Sequence, residues 1–175
     1  YDKSTSDAAM DVKQTTDSNF IIAAITYDTT VYKNNIYLIK TDAAGDTLWT
    51  KKYFYPLHQV VYSIDQTTDG GYIMTGNTDN SNGRSLYLIK TNATGDTLWT
   101  RTYNPNIDNY GYFVRQTKDG GFIICGATST GSYIIKTDSL GMVGNGTGIA
   151  EVNNPFDFSV YPNPSSGNFT FQFKG

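Results

Sequence analysis

The chain has 175 residues, a net charge of −3 and 17% charged residues, with 14 Tyr and 9 Phe. That length holds one domain and the start of a second. No run of about 18 apolar residues is present to span a bilayer, and weak acidity without a Lys/Arg cluster argues against nucleic acid or an anionic membrane as the main partner.

At the N-terminus, YDKSTSDAAM lacks the basic patch and apolar run of a signal peptide. Tyr1 stands where the closing Tyr of a longer motif would. Residues 1–11 therefore read as the remnant of a preceding repeat, and the chain is expected to begin partway through a larger protein.

Three copies then align on a Gln-Thr pair: QTTDSNFIIAAIT from Gln14, QTTDGGYIMTGNT from Gln66 and QTKDGGFIICGAT from Gln116. The spacing is 52 and then 50 residues. Each copy continues into a second block: IYLIKTDAAGDTLWT, LYLIKTNATGDTLWT, and the shortened SYIIKTDSLGMV. In the second copy the β-branched and aromatic runs predict strands over Val61–Gln66, Tyr72–Thr78, Ser85–Thr91 and Thr97–Tyr103. Asp69-Gly70-Gly71 is a tight-turn signal, because glycine tolerates positive φ. The first copy has Ser18-Asn19 in that place, which predicts a turn of a different type. Asn92-Ala93-Thr94-Gly95 fits a type I turn closed by a left-handed glycine. Gly45, Gly95 and Gly141 hold the same slot in the three copies.

The run YLIK is apolar on consecutive positions, which predicts a strand buried on both faces, whereas DTLWT alternates as an outer strand would. A four-stranded sheet covered on both faces and recurring about every 50 residues fits a propeller blade or a stacked solenoid unit. Trp49 and Trp99 share one slot and are expected to pack between neighbouring units. Cys125 is the only cysteine, so no internal disulfide can form and no CxxC pair serves zinc or redox work. Its apolar setting, FIICGAT, predicts a small core residue.

QTTDGGYIMTGNT followed by LYLIKTNATGDTLWTRTY resembles the propeller repeat of about fifty residues common in secreted proteins of gliding and gut bacteria. The resemblance implies an all-β fold: a partial β-propeller of about three four-stranded blades near residues 12–53, 61–103 and 112–143. Three blades fall short of the usual 4–8. Missing N-terminal blades, self-association through open blade faces, or the C-terminal tail are expected to cover the ends.

Residues 144–154 are rich in Gly and Asn and read as a linker. Phe156, Phe158 and Val160 then alternate with polar residues, as do Phe169, Phe171 and Phe173, so two strands are expected across PNPSSG. The stretch from Ile149 and Glu151 through VYPNPSSGNFTFQF resembles the opening of the type A C-terminal sorting domain of type IX secretion substrates. The matching positions are Tyr161, Pro162, Asn163, Pro164 and Gly167. The resemblance implies that 155–175 begins a β-sandwich that engages the type IX secretion machinery and directs passage across the outer membrane.

Chemistry-bearing constellations are scarce, and no catalytic, cofactor-binding or metal-binding residue is assigned. His58 is the only histidine and Glu151 the only glutamate, so neither a GxSxG-type triad nor a paired-carboxylate site assembles from the sequence. TDAAGDTLW resembles the Asp-box hairpin of sialidase propellers, with one residue more between Asp and Gly. Arg84, Arg101 and Arg115 occupy different slots, against a shared carboxylate-binding trio. The oxygen-bearing runs at Thr78–Gly83 and Asp42/Asp46 lack calcium-loop order and are expected to cap turns. The expected function is a non-enzymatic, secreted or outer-membrane-surface scaffold that binds a glycan or protein. Its contacts are expected in the stretches that differ most between copies, Thr26–Asn35, Asp79–Ser85 and Asn104–Tyr110. The alternative is an accessory propeller of a larger exported hydrolase.

Overall fold

Runs rich in Ile, Tyr, Thr and Val form strands, and the Asp-, Asn- and Gly-bearing turns between them fold each run back on the last. The computed structural model describes residues 7–54, 57–80, 83–103 and 108–144, and the backbone of 150–151, 158–161 and 170–173. Every regular element among the described residues is a strand. β1 (Asp7–Gln14), β2 (Phe20–Asp28), β3 (Lys33–Thr41) and β4 (Thr47–Tyr53) make one antiparallel meander. β5 (Gln59–Gln66), β6 (Tyr72–Asn80), β7 (Gly83–Thr91) and β8 (Thr97–Tyr103) make the second. β9 (Asn109–Gln116), β10 (Phe122–Thr128) and β11 (Ser132–Thr137) begin a third sheet, completed by β12 (Ala150–Glu151). β13 (Phe158–Tyr161) and β14 (Thr170–Phe173) pair antiparallel, with Val160 opposite Phe171.

The all-β expectation holds, and the four strands of the second copy fall within two residues of the predicted spans. Two boundaries differ. β1 starts at Asp7, inside the stretch read as a remnant, because Asp7 to Gln14 pair along β2. The third sheet takes its fourth strand from residues read as linker: Tyr133 pairs with Glu151 and Ile134 with Ala150. The shortened third copy has no DTLWT-type run of its own to fill that edge.

The first turn keeps its geometry in all three copies. Gly70 and Gly120 each have φ of 80°. Ser18 adopts φ 63° in the same place, and its N–H donates to the Thr15 carbonyl at 2.9 Å, as Gly70 donates to Thr67. The different turn type expected from Ser18-Asn19 is therefore not found. Two main-chain bonds across the turn hold the serine in the left-handed region, at a cost of about 1–2 kcal/mol.

A lysine ties each turn to its sheet. Lys90 Nζ lies 2.8 Å from Asp69 Oδ2 and donates to the Thr91 carbonyl, while its own side chain is buried. Lys40–Asp17 (3.1 Å) and Lys136–Asp119 (2.8 Å) repeat the pair. Burial opposes ionisation of Asp69, but bonds from Lys90, the Thr67 hydroxyl and the Gly71 N–H together outweigh it and bring the carboxyl down to about 2. Hydrogen bonds led by Thr15 hold Asp17 below the usual carboxylate range, and those led by Lys136 do the same for Asp119. A depressed folded pKa stabilises fully above the ordinary Asp value of 3.8 and loses that contribution as pH falls through about 2. The melting temperature is therefore expected to decline as pH is lowered from about 4 toward 2, and Asp69→Asn to flatten part of the decline. Circular-dichroism melts across that range check it; an unchanged slope in the variant would dismiss the clip.

The sheets pack face to face through two hydrophobic clusters. Ile21, Leu38 and Ile36 of the first sheet meet Val61, Tyr72 and Met74 of the second. Ile73, Leu86 and Leu88 of the second meet Val114, Phe122 and Ile124 of the third. The same contacts join each pair of sheets. Tyr53 Oη donates to the Gly95 carbonyl and Tyr103 Oη to the Gly141 carbonyl, both at 2.7 Å. The Thr16 N–H donates to Gln66 Oε1, and the Thr68 N–H to Gln116 Oε1, both at 2.8 Å. The Trp49 ring lies 6.2 Å from that of Tyr72, and the Trp99 ring 5.8 Å from that of Phe122.

Gly95 and Gly141 close their turns with φ of 80° and 73°. A Cβ on Gly95 would sit 3.0 Å from the Trp49 ring, and one on Gly141 2.9 Å from the Trp99 ring. The glycine thus provides both a left-handed turn and room for the preceding sheet's indole. Gly45 has the turn (φ 93°) but no atom within 4 Å of its Cβ position.

The two end faces are correspondingly open. Val12 is 53% exposed where its counterparts Ile64 and Val114 are at 0%, and Ile134 is 39% exposed where Leu38 and Leu88 are at 0%. Cys125 is exposed in the same way, against the expectation of a core position, whereas Ala23 and Thr75 in the same slot are buried. The sequence of β10 is as apolar as that of β6, but no further sheet covers this face among the described residues.

Candidate functional site

The first strand of each four-stranded sheet carries one extra residue at the same slot. In β1 the register shifts between Ala9 and Asp11, leaving Met10 unpaired against β2. In β5 it shifts between Val61 and Ser63, leaving Tyr62. In β9, Gly111 pairs with Gly126 and Phe113 with Cys125, leaving Tyr112. Such bulges bend a strand and re-aim the extra side chain. β1 packs on β5 and β5 on β9, so three consecutive bulges lie along one edge of the stack.

Around the second and third bulges the side chains form one aromatic and cationic surface. The Tyr62 and Tyr112 rings meet edge to face at 5.4 Å, and Tyr110 stacks parallel to Tyr112 at 6.1 Å and 10°. The Arg84 guanidinium lies over the Tyr110 ring at 5.8 Å, and its Nη1 donates to Tyr110 Oη at 3.0 Å. Asp79 Oδ1 lies 3.5 Å from Arg84 Nε, and the Arg84 N–H donates to Asp108 Oδ1 at 2.7 Å. Burial raises the Tyr62 phenol, with the neighbouring Tyr112 adding to the effect. Tyr112 and Arg84 remain exposed. A face of stacked phenols edged by a guanidinium and two carboxylates offers ring platforms with donors and acceptors at their rim. That combination suits a polar ring-bearing ligand.

Of the three stretches singled out for contacts, Asp79–Ser85 and Asn104–Tyr110 meet here, through Arg84, Asp79, Asp108 and Tyr110. Residues 104–107 and 81–82 lie outside the described residues. Much of Thr26–Asn35 is strand instead: Thr26 pairs with Asn35 and Asp28 with Lys33. Its tip presents Val31 and Tyr32 to solvent.

The remaining singled-out residues fall elsewhere. Trp49 and Trp99 lie against the following sheets with Gly95 and Gly141, and Gly45 faces open space. Of the tail positions, Tyr161 closes β13, while Pro162, Asn163, Pro164 and Gly167 lie outside the described residues. Asp42 Oδ1 accepts the Ala44 and Asp46 N–H groups at 2.9 and 2.8 Å, and Asn92 and Asp138 cap their turns in the same way. The three arginines have separate partners: Arg101 lies over Trp99 at 5.4 Å, and Arg115 donates to the Val114 carbonyl. No helix among the described residues is long and apolar enough to cross a membrane.

The bulge row was missed in the sequence. Its signal was the aromatic residue recurring at Tyr62 and Tyr112 four positions before each Gln-Thr pair, with Met10 in the same slot. No protein-family model matches the chain, and no curated protein is significantly similar to it.

Proposed function

We propose that the chain is a non-enzymatic binding scaffold, in which the three sheets are consecutive blades of a β-propeller and the bulge row presents the ligand surface. Three features support the propeller reading. The contacts between the first and second sheets recur between the second and third. The first strands adjoin one another. Both end faces expose residues whose counterparts are fully buried. Further blades, self-association through those faces, or the C-terminal tail would cover them.

The observation that carries the binding reading is the surface of Tyr110, Arg84 and the two bulge residues Tyr62 and Tyr112. Its chemistry favours a glycan: sugar rings stack on phenols, and their hydroxyls pair with guanidinium and carboxylate groups. Export by type IX machinery to the medium or the outer-membrane surface rests on the resemblance around Tyr161, Pro162, Asn163, Pro164 and Gly167.

A glycan array probed with the chain is expected to yield at least one binder. Tyr112→Ala should then weaken that glycan about fivefold, the loss of roughly 1 kcal/mol of ring contact. An empty array, or a binder indifferent to Tyr112→Ala and Arg84→Ala, would show that this surface is not the ligand site.

A further inference from the structure

Each end of the stack carries one half of a joint that the chain already makes twice. On the third sheet Phe113, Cys125 and Ile134 stand opposite one another across β9, β10 and β11, and all three are exposed. The same row in the middle sheet is Ser63, Thr75 and Leu88, at most 1% exposed and covered by the third sheet. On the first sheet Val12 pairs with Ile22; Val12 is exposed and Ile22 half-buried. Ile64 and Met74, in their slots on the second sheet, are fully buried against the first. A terminal unit that stays in water needs a polar outer face. Here the exchange runs the other way, with Phe113 where the middle sheet has Ser63.

The hydrogen-bonding groups of the joint are in place as well. At the two internal joints Gln66 and Gln116 accept from the Thr16 and Thr68 N–H groups. Gln14 holds the acceptor's slot on the first sheet. Its Nε2 donates to the Ser18 carbonyl at 3.4 Å, as that of Gln116 donates to the Gly120 carbonyl at 3.3 Å. The Lys118 N–H holds the donor's slot on the third sheet. A third-sheet face is thus the complement of a first-sheet face, and every copy of the chain carries one of each.

We propose that two copies of the chain join head to tail, third sheet on first sheet at both joints, and close a ring of six sheets. The proposal rests on the propeller reading: with three four-stranded sheets from each copy, only two copies bring the total within the usual 4–8 blades. Head-to-tail contacts either close into rings or run on as filaments, and the closed ring leaves no face open. The shortened third copy brings no counterpart of Trp49 or Trp99 to the joint, so the dimer is reversible.

The test is sedimentation velocity of the 175-residue chain between about 1 and 100 μM, with the reaction rate of Cys125 toward a thiol reagent followed over the same range. A monomer–dimer equilibrium with nothing larger is expected, and Cys125 should react more slowly as the dimer forms. Val12→Glu and Ile134→Glu should each raise the dimer dissociation constant at least about tenfold, since each places a charge in one half of the joint. Circular dichroism checks that both variants fold; Gln14→Leu on the first face and Cys125→Lys on the third replace one that does not. A chain that stays monomeric throughout overturns the ring and leaves the propeller reading standing, with other blades on its ends. Species that grow beyond the dimer with concentration mark an open stack and overturn both. The ring is also overturned if only one face's variants weaken the dimer, which would mean that face meets itself, or if Cys125 reacts alike in monomer and dimer.

Discussion

Trp99→Ala is expected to destabilise the chain by about 3 kcal/mol, the lower end of the range for truncating a buried Trp, because the indole is half-buried. The ring meets Phe122 edge-on at 5.8 Å, contacts the turn at Gly141 and carries the Arg101 guanidinium at 5.4 Å. Its loss leaves a void between the second and third sheets that hydrogen bonds on either side keep from collapsing. Tyr103 Oη still holds the Gly141 carbonyl, and Gln116 Oε1 still holds the Thr68 N–H. For a chain of this size the corresponding fall in melting temperature is about 6–12 °C. Trp49→Ala should give a fall of similar size, since Trp49 meets Tyr72 and the turn at Gly95 in the same way. Melts followed by far-ultraviolet circular dichroism measure both. A Trp99→Ala protein that melts with the parent would show that the indole does not join the sheets.

Gly76→Ala is expected to cost at least about 3 kcal/mol, as overpacking against main chain does. A Cβ at Gly76 would lie 1.8 Å from the Val60 carbonyl oxygen and 2.9 Å from Val61 Cα. Both obstacles are backbone, so no rotamer change relieves them, and β5 must move away from β6. The site also abuts the second bulge: Gly76 pairs with Val61, and the register shift that frees Tyr62 comes at once after it. The variant should therefore disturb the Tyr62–Tyr112 contact as well as stability, visible as shifts in the aromatic NMR signals of both rings. Gly45→Ala is the contrast. Its Cβ meets nothing within 4 Å, and only φ of 93° opposes it, worth about 1–2 kcal/mol. If the two variants melt together, the close approach at Gly76 is not what limits the site.

Much of the fold was legible because the forces that set it are local. Alternation and apolar runs placed the four strands of the second copy, and the glycine slots marked turns whose φ is positive. What could not be read depends on partners distant in sequence. A bulge is defined by the strand opposite, so Met10, Tyr62 and Tyr112 look like ordinary strand residues until β2, β6 and β10 are set beside them. The lysine clip joins residues 21 apart in Lys90 and Asp69, although the recurrence of both in every copy was a visible signal. Cys125 misled because burial on a sheet face depends on the next sheet, and its own strand does not record whether one is there. The short edge strand at Ala150–Glu151 pairs only two residues, too few for any periodicity to mark.

Among the described residues the middle sheet is held by a neighbour on each face, and each outer sheet by a neighbour on one. Native-state hydrogen exchange measures the consequence strand by strand. In the dilute monomer the amides of β6 and β7 should exchange more slowly than those of β2 and β3 or of β10 and β11, because among the described residues only the middle sheet is covered on both sides. Equal protection in all three sheets, or faster exchange in the middle one, would contradict it.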